Sequence, residues 1–84
     1  MNKLGLIHII DDESIIHEVL GELFISEGYQ IESSFSGEEA LKKHKPGAFD
    51  LTLLDLLMPG IDGIKTLKDT RMASKKTYYA RVKY

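Results

Sequence analysis

Apolar positions along this chain fall into two alternating kinds of run. Residues 4–10, Leu-Gly-Leu-Ile-His-Ile-Ile, are short, rich in β-branched side chains and stop abruptly at charge, which predicts a strand buried on both faces. Ile15, Ile16, Val19, Leu20, Leu23 and Phe24 then recur at helical spacing, with Glu18, Glu22 and Glu27 among the polar positions between them. That pattern predicts an amphipathic helix, closed by Gly28. Residues 29–35 alternate weakly and predict a second strand. Ser36, Gly37, Glu38 and Glu39 read as the capped start of a short helix carrying Ala40 and Leu41, which Lys45, Pro46 and Gly47 end. Residues 49–54 predict a third strand, apolar apart from Asp50 and Thr52. A third helix is predicted from about Asp62, with Ile64, Leu67 and Met72 on its inner side.

Strand and helix in alternation favour an α/β fold, a partial doubly wound parallel sheet with right-handed crossovers. In such sheets ligands sit beyond the carboxyl ends of the strands, where the strand order reverses. Asp11 and Asp12 follow the first strand and Asp55 follows the third. With those strands as neighbours, three carboxylates share one crevice. Asp55 is the odd residue of the set, a carboxylate between Leu53, Leu54, Leu56, Leu57 and Met58, where burial is costly unless something pairs with it. Two unit charges about 5 Å apart repel by roughly 3 kcal/mol at an effective dielectric near 20, so the three need a cation or protons. Oxygen donors without His or Cys suit a hard ion, and Mg²⁺ (or Mn²⁺) fits better than a dedicated calcium cage. Screened by such an ion, Asp55 can attack phosphorus and form an acyl phosphate.

Composition narrows the remaining choices. The chain has 84 residues, 43% of them hydrophobic, and a formal charge of −2, which predicts a single soluble acidic domain with a thin core. Nothing advertises a nucleic-acid or membrane surface; Tyr78 and Tyr79 with Arg81 and Lys83 make too short a patch to bind nucleic acid. The absence of cysteine removes disulfides and thiolate metal sites. The longest apolar run falls short of a membrane span, and Met1, Asn2 and Lys3 lead into a strand rather than a signal sequence, so a cytoplasmic location is expected. His8, His17 and His44 lie in different elements with no ligand spacing and read as structural or surface residues.

The segments "HIIDDESIIHEVLGELFISEGYQIESSFSGEEAL" and "FDLTLLDLLMPGIDGI" together resemble the receiver domain of bacterial two-component response regulators. The acidic pair, the Ser-Gly-Glu-Glu-Ala segment, the aspartate and the Met-Pro-Gly-x-Asp-Gly loop occur in that family's order and spacing, over roughly residues 3 to 71. The resemblance implies a flavodoxin-like receiver with strand order 2-1-3 for these units, and a phosphoryl group received on Asp55 from a sensor histidine kinase or phosphotransfer protein. It implies that Asp12 ligates Mg²⁺ directly, that Asp11 acts mainly through water, and that the backbone carbonyl of Leu57 is the third protein ligand. No turnover on an external substrate is implied.

The chain also departs from the family. A complete receiver has five strand-helix units, whereas only three are legible here, so residues 1–71 read as a partial receiver and 72–84 as an atypical tail. The Ser or Thr that follows the family's fourth strand, and the Lys after its fifth, have no counterparts. The alternative function is therefore a receiver remnant that keeps the acidic pocket but serves only as an interaction or assembly domain. Without a fourth strand, the third becomes an apolar edge that templates pairing. Two covers are expected for it. One is the tail itself, in which Tyr78, Ala80, Val82 and Tyr84 alternate with Thr77, Tyr79, Arg81 and Lys83. The other is a second copy of the chain, and a homodimer is the favoured expectation.

Overall fold

The computed structural model describes residues 4–43, 45 and 47–55, together with the backbone of 74–80. The expected helix from Asp62, the loop around Pro59 and Gly60 and the carbonyl of Leu57 lie outside the described residues.

The first apolar run becomes β1 (Leu6–Ile10), with Ile7, Ile9 and Ile10 at most 2% exposed. Strand β1 begins two residues later than its apolar run. The Leu6 N–H donates to the Asp50 carboxylate at 2.8 Å, and pairing with the third strand starts only at Ile7. Gly5 allows that contact: a Cβ there would lie 2.7 Å from Asp50 Oδ2.

Helix α1 (Ser14–Ser26) ends in a left-handed glycine, Gly28, at φ +102°. The Gly28 N–H donates to the Ile25 carbonyl and the Tyr29 N–H to the Phe24 carbonyl, both at 3.0 Å. The Phe24 and Tyr29 rings meet edge-on at 6.1 Å, completing a Schellman stop with its apolar contact. Strand β2 (Gln30–Ser34) then pairs parallel with β1, from Leu6 opposite Gln30 to Ile10 opposite Ser34. Helix α2 (Gly37–Lys42) is capped as its sequence implies, the Ser36 hydroxyl accepting the Glu39 N–H at 3.0 Å. Strand β3 (Phe49–Asp55) lies on the other side of β1, in register from Ile7 opposite Leu51 to Ile10 opposite Leu54.

Of the two covers expected for β3, the sheet contains the first. Strand β4 (Ser74–Ala80) runs parallel to β3 from Phe49 opposite Ser74 to Asp55 opposite Ala80. It starts three residues before the alternating tail pattern, because its seven residues match the full length of β3. The order is β2-β1-β3-β4. The right-handed crossovers β1–α1–β2 and β2–α2–β3 run in opposite directions along the sheet and set α1 and α2 on opposite faces, and Ala40 of α2 closes a core cluster with Ile10 and Leu54.

Helix α1 departs from its hydrophobic pattern. The face it buries carries His17 and Gly21, flanked by half-buried Ile16, Leu20 and Phe24. Ile15, Val19 and Leu23, one residue per turn along a second face, are 52–55% exposed. The apolar stripe is wider than the part of the sheet it covers. No helix among the described residues is long and apolar enough to cross a membrane.

Candidate functional site

The strand order reverses between β1 and β3, and the acidic residues stand at that point. Ile10 is in register with Leu54, so the next residues, Asp11 and Asp55, emerge side by side from the carboxyl edge of the sheet. Asp12 follows in the turn into α1. The structure brings all three together: each offers a carboxylate oxygen, and the three oxygens lie within 4.8 Å of one another. At that spacing each pair of charges repels by roughly 3 kcal/mol at an effective dielectric near 20, less at Asp12, where solvent screens.

Burial grades the three residues. Asp55 is 6% exposed and Asp11 9%. Asp12 is exposed. Asp11 is held at main chain and side chain: its N–H donates to the Ser34 carbonyl at 3.0 Å, extending the β1–β2 pairing by one residue, and its Oδ1 accepts the Glu13 N–H at 2.9 Å. The fourth residue of the expected ligand set, Leu57, lies outside the described residues. A donor set made only of carboxylate oxygens, converging at the mouth of a parallel sheet, fits a hard divalent cation with retained waters.

The histidines divide. His44 lies outside the described residues. His8 is a core residue, 1% exposed, with Nε2 2.6 Å from the Ser34 hydroxyl. His17, read from the sequence as structural or surface, touches the site: its Nε2 lies 2.7 Å from the main-chain carbonyl of Asp11. Residue spacing holds no sign of this bond, since its acceptor is backbone. The one hint is that His17 and Gly21, four residues apart, occupy a helix face where an apolar pair would pack.

The family profile described as the response regulator receiver domain matches residues 7–80, which takes in β4 as well as the acidic site. The transcriptional regulatory protein ResD of Bacillus subtilis is 40% identical over 63 residues, covering 75% of this chain and 26% of ResD. Among solved structures, the response regulator TrrA of Thermotoga maritima in complex with Mg²⁺ and BeF superposes with a TM-score of 0.70 at 35% identity, over 92% of this chain and 72% of that one. The complex of histidine kinase ThkA with response regulator TrrA contains a chain matched with a TM-score of 0.72 at 29% identity, over 96% of this chain and 90% of that one. On its profile match, its parallel 2-1-3 sheet and its acidic strand ends, this chain belongs to the response regulator receiver domain family of two-component systems.

Proposed function

We propose that Asp55 accepts a phosphoryl group from a histidine kinase, with Asp11 and Asp12 holding Mg²⁺ (or Mn²⁺) beside it. The observation that carries this reading is the convergence of three carboxylates within 4.8 Å around a nearly buried Asp55. In the transfer a carboxylate oxygen of Asp55 attacks phosphorus, the P–N bond of the donor phosphohistidine breaks, and the imidazole leaves with its electron pair. Burial strips most water from the nucleophile, and the fixed sheet edge holds it in line with the incoming group. When bound, the cation neutralises charge between the carboxylates and the phosphoryl oxygens. The chain is an acceptor in this scheme and turns over no external substrate.

Two features shape the donor and the rate. A phosphohistidine can reach Asp55 only if its protein covers the carboxyl edge of the sheet, where α1 begins. The exposed stripe of Ile15, Val19 and Leu23 starts there and supplies an apolar face for such a protein. The complex of ThkA with TrrA is a precedent in a similar chain. On the other side of the site, Ala80 stands in register with Asp55, and it carries no hydroxyl for a phosphoryl oxygen. Losing one such charge-assisted hydrogen bond removes about 1.5–3 kcal/mol, or one to two orders of magnitude in rate. The aspartyl phosphate is therefore expected to form slowly or to be short-lived.

Intact mass after incubation with acetyl phosphate, and separately with a phosphorylated histidine kinase, tests the reading. A single Mg²⁺-dependent phosphoryl adduct is expected at partial occupancy on the wild type and on no molecule of Asp55→Asn. Val19→Glu should slow the kinase reaction alone. An adduct that survives Asp55→Asn, or none with either donor, refutes the assignment.

A further inference from the structure

His17 lies on the buried face of α1, 8% exposed. Its Nε2 is 2.7 Å from the Asp11 main-chain oxygen. A carbonyl can only accept, so Nε2 carries the proton and donates it. Nδ1 is buried with no hydrogen-bond partner among the described residues. A ring chosen for packing alone would place apolar atoms there at no polar cost, so the imidazole is oriented by the Asp11 carbonyl. Phe35, the residue after β2, lies against the ring at 4.1 Å between centroids and 33° between planes, which fixes the plane in which the N–H points.

The carbonyl that His17 holds belongs to the peptide joining Asp11 to Asp12. It precedes α1, and His17 reaches back to it from within the helix. The Asp11 N–H is tied to β2 and the Asp11 carboxylate to the Glu13 N–H. His17 provides the tie from the body of α1. With it, rotation of the Asp11–Asp12 peptide plane is restrained, and so is the backbone from which both carboxylates extend. We propose that His17 is a positioning residue for the acidic cluster: it locks that peptide plane and thereby presents Asp11 and Asp12 to the divalent cation. The inference rests on the metal reading above for its consequence, but not for the geometry of the lock.

Two variants separate the hydrogen bond from the packing. His17→Gln keeps an amide N–H at about the reach of Nε2; His17→Phe keeps the ring against Phe35 and removes the donor, with His17→Leu in reserve if Phe is not accommodated. Two readouts are taken on the full chain, below its melting midpoint: Mn²⁺ affinity from the electron-spin-resonance signal of free Mn²⁺, and hydrogen exchange of the Glu13 amide, whose acceptor is the Asp11 carboxylate. His17→Phe is expected to weaken Mn²⁺ binding about tenfold, in line with the loss of a residue that orients a ligand, and to speed Glu13 exchange. His17→Gln should restore both. The positioning role is overturned if His17→Phe binds Mn²⁺ as the wild type does, or if His17→Gln loses as much as His17→Phe. Should the wild type take up no Mn²⁺, the metal reading fails by itself and Glu13 exchange decides, unchanged exchange in His17→Phe overturning the lock.

Discussion

At the scale of single residues, the sheet carries a titratable group where strands of this kind carry aliphatic ones. His8 is 1% exposed, between the Ser34 hydroxyl and the Phe49 ring, whose centroid is 4.3 Å away. Burial first, and then the charge of Lys43, push its pKa from 6.5 down to about 4; Glu32 and Glu39 pull it up by less, and His17 adds a small downward push. Because the folded value lies below the unfolded one, the unfolded chain binds more protons between the two. Stability is therefore undiminished above pH 6.5 and falls as pH drops from 6.5 to about 4, by about 3 kcal/mol at most. The melting midpoint should decline across that window in the wild type, and decline less in His8→Val/Ser34→Ala, which removes the imidazole without orphaning the hydroxyl. Equal slopes in the two proteins would show that His8 contributes nothing. His8 and His17 also mark what could be read from sequence at this scale. Asp11, Asp12 and Asp55 were legible because strand ends in a parallel sheet place them by register alone. The roles of the two histidines depend on a cross-strand hydroxyl and on a main-chain carbonyl, and neither leaves a trace in spacing or periodicity.

At the scale of elements, capping chemistry was the most readable signal. Gly28 and Ser36 stop and start their helices as their residue types dictate, since both act through local backbone geometry. The apolar stripe of α1 was readable as helix but not as to which residues it would bury. Periodicity finds an apolar face, whereas the width of the sheet beneath decides how much of it is covered, and Ile15, Val19 and Leu23 stay outside. Strand β4 was the least legible element as to its bounds, because Ser74, Lys75 and Lys76 carry no strand pattern of their own and take their conformation from β3. Its position makes it the cover of an apolar neighbour, and lysines suit the outer edge it forms. Deleting residues 74–84 should uncover β3, lower stability by several kcal/mol on the order of a few lost backbone hydrogen bonds, and drive association visible by light scattering on a sizing column. A deleted chain that elutes as the parent does and melts at the same temperature would contradict the role given to β4.

At the scale of the whole molecule, two distant pieces of sequence meet at one point: the turn that leads from β1 into α1, and the end of β3. The alternation of strands and helices was enough to place them together, because right-handed crossovers leave few other arrangements. On the β4 side of that point, Ala80 stands in register with Asp55. The central claim is that Asp55, Asp11 and Asp12 act as one metal-assisted acceptor of a phosphoryl group. It can be tested at equilibrium, independently of the rate of any donor, with beryllium fluoride, which adds to a carboxylate oxygen in the tetrahedral shape of a phosphoryl group. Fluorine-19 spectra of the full chain should show a protein-bound signal only when Mg²⁺ is present, weakened in Asp12→Asn and lost in Asp55→Asn. A bound signal that persists in Asp55→Asn, or forms equally well without Mg²⁺, would contradict the account, as would the absence of any bound signal in the wild type.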